Sequence, residues 1–226
     1  MLLTIHHSPF CADDDTTFQI STVITHMLLQ PFKEPSVETA AQEINQLSVQ
    51  WSQQTLDDST DTRKGSAFVW FVWTEICFIA RQIPYCFPAQ ETLVRFIAAM
   101  RDVPDDVDGK WRELNYFGWA ARDALNDIKE GSQEEINFYS FTAKLTRDST
   151  QDFSLWAIWC FRDIIEDEPS ATAPAWWRAQ AAQKAAPELD ARLPVAALWI
   201  DILGEKIYSK RLLSRQCCER TWDLEE

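Results

Sequence analysis

Apolar residues recur at helical spacing along most of the chain. In one segment the apolar side chains lie three or four positions apart, which places them on a single face of a helix: Val37, Ala41, Ile44, Leu47 and Trp51. No stretch alternates strictly between apolar and polar residues, as a half-buried strand does, and the chain contains only five glycines. The pattern therefore predicts an all-α protein.

Start and stop signals divide the chain into about eight to ten helices. Ser36, Ser132 and Asp152 precede apolar runs as N-caps. The predicted helices cover 16–30, 37–52, 66–83, 110–129, 132–147 and 153–166, the segment Leu93 to Met100, an Ala-rich segment with Trp176 and Trp177, and a long helix or helix pair ending near Arg220. A polar loop is expected over 53–64. We expect a polar N-terminal segment over 1–15 and a single compact helical domain over 16–226.

The helix predicted over 66–83 differs from the others because apolar side chains surround it, beginning with the run Ala67 to Trp73. A helix that is apolar on every side is typical of a central, fully packed position. Glu75 is its most unusual residue, since it falls beside Phe68 and Phe71 on a helical wheel. A carboxylate in such surroundings either pairs with a cation or holds a proton, which a general acid or base needs near neutral pH.

Two interpretations of Glu75 stay open. It is either a catalytic group or one half of a structural ion pair, for which Arg162 on the helix predicted over 153–166 is the expected partner. Asp163 follows Arg162 directly and is a second carboxylate that could move a proton. Glu75, Asp163 and Arg162 are therefore the catalytic candidates.

The chain contains 11 tryptophans, more than core filling usually requires. Trp156 and Trp159 fall on the half of their predicted helix opposite its apolar face, and Tyr116 and Trp119 fall on the polar side of theirs. Because an indole combines an apolar body with one N–H donor, tryptophan is favoured in interfaces and in pockets for ring systems. These four aromatic residues are substrate-binding candidates, unless further helices cover the same faces.

The formal net charge of −14 argues against a nucleic-acid partner, since phosphate binding requires clustered lysines and arginines. No secretory signal is visible at residues 1–9, and the longest apolar run is far shorter than a membrane span. The six cysteines form no C-x-x-C pair, and Cys77 and Cys160 fall in apolar predicted helices, as reduced thiols do. We therefore expect a soluble cytoplasmic protein that meets no membrane.

The segment Asp105 to Gly109 resembles part of a calcium-binding loop. When that loop is aligned on Gly109, however, Pro104 and Asn115 occupy the two positions that require carboxylates. The three histidines form no zinc motif, and the phosphate-binding, dinucleotide-binding and nucleophile-elbow motifs are missing. The sequence therefore predicts neither a metal nor a cofactor.

Several blocks of the sequence resemble a fungal family known as domain of unknown function 3632. The most specific is the run D-F-S-L-x-A-x-W-x-x-R over 152–162, and other matching positions are Trp111, Gly118, Arg122, Asn137 and Trp199. The family pattern has proline where Asn115 lies in this chain. The resemblance implies a fungal, helical, intracellular protein and transfers no catalytic residue. Because Asn137 belongs to the pattern, it joins the substrate-binding candidates, although a structural role explains it equally well.

Two hypotheses of function remain open. The first is a cofactor-independent enzyme, or a binding protein, for an apolar aromatic or polycyclic small molecule, with isomerisation or cyclisation as the reaction class. The second is a protein interaction module that holds a partner helix, or a second copy of itself as a homodimer, with tryptophans as anchors. The sequence does not decide whether the chain is an enzyme.

Overall fold

Seven helices and part of an eighth make up the described part of the computed structural model, which covers residues 3–7, 9, 15–29, 36–56, 63–104, 110–165 and 192–206. The helices are α1 (Asp15–Leu29), α2 (Val37–Leu56), α3 (Arg63–Gln82), α4 (Pro88–Arg101), α5 (Phe117–Asp127), α6 (Gln133–Arg147), α7 (Ser154–Ile165) and α8 (192–206). These residues contain no strand. The all-α prediction is confirmed.

The helices belong to two compact units, Met1–Phe141 and Thr142–Glu226, and the boundary lies within α6. In the first unit, α3 packs against α1, α2 and α5, and α4 packs against α1 and α2. The apolar sequence predicts a central, fully packed α3; the prediction of full packing is wrong, because Trp70, Phe71, Thr74 and Phe78 are only half-buried. The expectation of a single domain over 16–226 stays a prediction.

Side chains at the three predicted N-caps bind the first turns of their helices. Ser36 Oγ accepts a hydrogen bond from the backbone N–H of Thr39 at 3.2 Å, and Ser132 Oγ accepts one from the N–H of Glu135 at 3.3 Å. Asp152 Oδ1 likewise accepts from the N–H two residues further along at 2.8 Å. Each bond satisfies a donor that the first turn of a helix leaves without a partner. The predicted starts of α2, α6 and α7 are therefore confirmed.

The helix predicted over 110–129 is wrong at its beginning, because α5 starts only at Phe117. Residues 110–116 form turns, and the φ angles of Leu114 and Tyr116 are +49° and +67°. A left-handed backbone conformation interrupts a right-handed helix. Helical spacing of apolar residues is therefore not sufficient to make this segment helical.

Two buried indoles hold these turns in place. Trp73 Nε1 donates to the backbone oxygen of Asn115 at 2.7 Å, and Trp111 Nε1 donates to Asn45 Oδ1 at 2.9 Å. The two indole rings meet edge-on with centroids 5.5 Å apart, and the ring of Phe117 lies 5.1 Å from that of Trp73. This aromatic cluster joins α2, α3, the turns and the start of α5. Tertiary packing therefore overrides the local helical pattern here.

The predicted loop over 53–64 is too long, because α2 continues to Leu56 and α3 begins at Arg63. Gln53 and Gln54 at one end, and Lys64 at the other, are good helix formers, so these polar residues extend the helices. Other predictions lie outside the described residues. They are the central part of that loop, the segment 105–109, the Ala-rich helix with Trp176 and Trp177, and the end of the last helix near Arg220.

A buried polar network joins α4 to α6. Gln90 Nε2 donates to the backbone oxygens of Ile83 and Asn137, at 3.1 and 2.8 Å. Gln90 Oε1 accepts from Ser140 Oγ at 3.1 Å, and Asn137 Oδ1 accepts from the N–H of Tyr85 at 3.1 Å. Because all these buried polar atoms have partners, the network fixes α6 against the turn between α3 and α4.

Replacement of Asn137 by alanine should lower the free energy of unfolding by about 1 to 3 kcal/mol. The substitution leaves the Tyr85 N–H and the backbone oxygen of Arg81, to which Asn137 Nδ2 donates at 2.9 Å, without their partner. Urea unfolding followed by circular dichroism measures the change. The control is Asn126→Ala at an exposed position of α5, which should shift stability by less than about 0.5 kcal/mol. Equal effects of the two substitutions would contradict the stabilising role given to the hydrogen bonds of Asn137.

Candidate functional site

A cleft of about 430 Å³ lies between α3 and α5. Its lining residues recur every three or four positions on each helix, so each helix contributes one face. They are Trp70, Phe71, Thr74, Phe78 and Arg81 of α3, Ala120, Asp123, Ala124 and Asp127 of α5, and Pro9 near the N-terminus. The α3 side of the cleft is therefore largely aromatic, whereas the α5 side is small and acidic.

The α3 side of the cleft presents three half-buried rings, those of Trp70, Phe71 and Phe78. Trp51 of α2 packs edge-on against Phe71, with ring centroids 6.5 Å apart. The guanidinium of Arg81 lies over the ring of Phe78, with Cζ 4.4 Å from its centroid. Because neighbouring side chains contact two of the three rings, the cleft offers a largely pre-formed aromatic surface.

The charged groups of the cleft are one guanidinium and two carboxylates. Arg81 forms an ion pair with Glu134, with 3.6 Å between Nε and Oε2. Asp123 and Asp127 lie four residues apart on α5, and both are exposed. Neither of these two carboxylates pairs with another side chain in the part of the chain that the structure describes. Among the described residues, the two carboxylates therefore give the α5 side of the cleft a negative charge.

The N-terminal segment reaches the edge of the cleft through Pro9. The side-chain amide of Gln82 holds this segment, because it accepts from the N–H of His6 at 2.7 Å and donates to the oxygen of His6 at 3.0 Å. His7 Nδ1 lies 2.6 Å from Ser21 Oγ of α1. These bonds fix the segment beside the end of α3, so part of the polar segment predicted over 1–15 contributes to the cleft wall.

Tyr116 and Trp119 lie together at a second cleft, of about 460 Å³, which residues 113–116, 118 and 119 line. Their rings meet edge-on with centroids 6.0 Å apart, and Trp119 is 68% exposed. A Cβ added at Gly118 would meet no atom within 4 Å, so packing does not require glycine there. Both aromatic residues are exposed, as predicted, although Tyr116 lies in the turns before α5 and not on a helix. A binding role for them stays a prediction.

Two other candidates are buried. Glu75 is 1% exposed and Asn137 is 3% exposed. The side-chain amide of Asn137 donates to the backbone oxygen of Arg81 and accepts from the N–H of Tyr85, so this residue has a structural role at the end of α3. Glu75 follows Thr74 on α3 but does not line the cleft between α3 and α5. A catalytic role of Glu75 and its pairing with Arg162 stay predictions.

The remaining candidates lie on α7 in the second unit. Trp156 is buried and packs against Phe153, with ring centroids 4.7 Å apart, which agrees with the alternative that its face of α7 is covered, and a binding role for it stays a prediction. Trp159 is 41% exposed, and Arg162 is exposed as well. The side chain of Asp163 lies outside the described residues. The structure therefore brings Tyr116 and Trp119 together, and of the two α7 tryptophans it exposes only Trp159.

A third cleft, of about 400 Å³, is lined by polar and aliphatic residues of α2 and α4 and the turn after α4, among them Glu38, Arg95 and Asp102. Hydrogen bonds from its own backbone N–H and from the Ser36 hydroxyl hold the pKa of Glu38 below its usual value, with Arg95 adding a smaller effect. Glu38 thus serves the N-terminus of α2, where a negative charge is favourable. No aromatic residue is among the described lining residues of this cleft, so it provides no ring surface on which an aromatic ligand could stack.

The described residues contain neither a metal-ligand cluster nor a membrane-spanning helix. No three His, Cys, Asp or Glu side chains are grouped so that they could hold a metal ion. No helix there combines the length and apolar character needed to cross a membrane. Cys77, Cys86 and Cys160 are free thiols, and burial raises the pKa of Cys77, which keeps that thiol protonated and unreactive.

The sequence interpretation missed Trp70, Phe71 and Phe78 because it assigned the whole circumference of α3 to the core. The signal that could have found them is the presence of polar residues on the same face of α3. Thr74 and Arg81 share a face with the three aromatic residues at spacings of three, four and seven, which a fully packed helix face would not favour.

Comparison with known proteins gives one match. A family model described as "Protein of unknown function (DUF3632)" matches residues 73–225, which is more than half of the chain. The matched range contains all of α5 and the Phe78 and Arg81 part of the cleft, and it begins after Trp70 and Phe71. No curated protein and no solved structure matches the chain.

Thr74 provides a test of the cleft wall, because its Oγ1 is buried and bonds to no described residue. Replacement by valine removes this unpaired polar atom at nearly constant shape, so the free energy of unfolding should rise by about 1 kcal/mol in urea unfolding. The control is Thr92→Val. The hydroxyl of Thr92 donates to the oxygen of Pro88 at 3.3 Å and accepts from Arg95 at 3.2 Å, so its loss should not stabilise the protein. Stabilisation by T92V but not by T74V would refute this description.

Proposed function

We propose that this chain, which belongs to the family described as "Protein of unknown function (DUF3632)", binds a flat apolar small molecule in the cleft between α3 and α5. The observation that carries the proposal is the aromatic surface of Trp70, Phe71 and Phe78, across the cleft from the small side chains of α5. The volume of about 430 Å³ lies within the range of small-molecule sites, about 300 to 1,000 Å³.

The energetics of such a site favour aromatic ligands. A ring laid on the α3 side chains gains about 25 cal/mol for each Å² of apolar surface removed from water, and about 1 kcal/mol more for a well-oriented ring contact. Association costs offset much of this gain, so a small two-ring probe is expected to bind with a Kd in the micromolar to millimolar range. Larger ligands that also contact the charged side chains of the cleft would bind more tightly.

The proposal concerns binding. An isomerisation or cyclisation that uses Glu75, Asp163 and Arg162 stays a prediction, because the described part of the cleft wall contains none of these side chains. We also propose a reducing, cytoplasmic location, for which the free thiols of Cys77 and Cys160 are the support. A fungal origin stays a prediction of the sequence resemblance.

Calorimetric titration with three naphthalene probes tests the proposal: 1-naphthylmethanol, 1-naphthylmethylamine and 1-naphthylacetate. At least one should bind the unmodified chain. Ala124→Phe places a ring in the cleft and should weaken binding at least about ten-fold, and Trp70→Ala removes part of the aromatic surface and should weaken it about five-fold. Circular dichroism verifies that both variants are folded.

The matched control is Trp159→Ala, which removes an exposed indole that does not line the cleft. This variant should bind the probes as the unmodified chain does. If no probe binds, or if A124F binds as well as the unmodified chain, the proposed site is wrong.

A second candidate function is supported by one specific observation, the exposed pair of Tyr116 and Trp119. Large aromatic residues with one polar atom are enriched at the energetic centres of protein interfaces. Trp119 is 68% exposed and meets the ring of Tyr116 edge-on, so the pair forms a rigid apolar projection. We propose self-association through this pair as the alternative.

Sedimentation velocity between about 10 and 100 μM tests the alternative. A dimer should form in this range, and Trp119→Ala should shift its dissociation constant upward at least ten-fold, because an interface loses its anchor. Trp159→Ala serves as the control and should leave the dimer intact. A chain that sediments as a monomer throughout this range would exclude self-association through Trp119.

A further inference from the structure

We infer that the ligand of the cleft between α3 and α5 is an organic cation, in which an apolar ring body carries an ammonium group held by Asp123 and Asp127. The inference rests on the proposed function and names the chemical class of its ligand. Its basis is the distribution of charge around the cleft, which is independent of the aromatic surface that suggests a ring body.

The two carboxylates of α5 form a pair on one helix face. Asp123 and Asp127 lie four residues apart, a spacing that makes their side chains neighbours, and both line the cleft. Neither pairs with a cation among the residues that the structure describes. Like charges at this spacing repel each other and destabilise a helix. An ammonium group between them would remove this repulsion and would supply N–H donors to both carboxylates.

The positive charge of Arg81 does not make the cleft favourable for an anionic ligand. Its guanidinium lies over the ring of Phe78 and its Nε lies 3.6 Å from Glu134 Oε2, so a carboxylate of this chain already lies beside its charge. An anionic ligand that approached Arg81 would displace this ion pair and meet Asp123 and Asp127 on the other helix. A cation meets no such opposition, and the formal net charge of −14 attracts it over longer distances.

The aromatic side of the cleft favours the same class of ligand. The negative face of an aromatic ring attracts cations, most strongly in tryptophan, and Trp70 lies in this wall. Ala120 and Ala124 line the cleft beside the two carboxylates of α5, and their small side chains leave room for a ring between the helices. The ligand body would therefore lie between the helices, with its ammonium group beside the α5 carboxylates and within reach of the α3 rings.

The three naphthalene probes test the inference because they share one ring system and differ in charge. Titrations at about 0.15 M salt should give 1-naphthylmethylamine an affinity about ten-fold above that of neutral 1-naphthylmethanol, with 1-naphthylacetate the weakest. Asp123→Asn and Asp127→Asn should each weaken amine binding about three-fold, which is the size of an exposed ion pair. The double variant should abolish the preference for the amine and leave the affinity for the alcohol unchanged.

The control is the double variant Glu43→Gln and Asp201→Asn, which removes two exposed carboxylates that do not line the cleft. It should retain the preference for the amine. If that preference came only from the negative charge of the whole protein, both double variants would reduce it equally.

Three outcomes separate the two proposals. If all three probes bind equally and A124F blocks them, the proposed function holds and the inference of a cationic ligand is wrong. Tightest binding of the acetate would also overturn the inference and point to Arg81 as the anchor. If no probe binds, the proposed function itself fails.

Discussion

The hydrogen bonds of two buried indoles are the constraint on which the first unit depends. Trp73 and Trp111 are fully buried, so each Nε1–H must find an oxygen inside the protein, and a buried donor without one costs about 1 to 3 kcal/mol. Asn115 supplies a backbone oxygen to Trp73, and Asn45 supplies a side-chain oxygen to Trp111. The turns over 110–116 are therefore held against α2 and α3 and do not continue as a helix.

This constraint also produces the cleft. Because α5 starts at Phe117, whose ring packs on Trp73, helical periodicity places Ala120 and Ala124 towards α3. Their methyl groups are too small to cover the aromatic side chains opposite, and the uncovered space is the cleft. The same helical periodicity also places Asp123 and Asp127 at the cleft. The candidate site thus arises from the packing of two helices, which explains why no catalytic or cofactor-binding motif pointed to it.

Local signals predicted much of the fold but little of the candidate site. The caps at Ser36 and Ser132 were predictable because each bond joins residues three positions apart. The buried state of Trp156 was not, although Phe153 lies only three residues earlier, because the apolar pattern placed Trp156 on the opposite half of α7. The ion pair of Arg81, a lining residue of the cleft, was not predictable, because its partner Glu134 lies 53 residues away in sequence.

The sequence by itself determined the helical class, the N-caps and the acidic character of the chain, because each depends on residue composition or on contacts within one helical turn. Only the tertiary structure decided where α5 begins and which side of α3 stays uncovered. Those features depend on which residues distant in sequence fill the space around Trp73, and a pattern of apolar positions does not specify their partners. The aromatic cleft and its carboxylates therefore became visible only after the helices were packed.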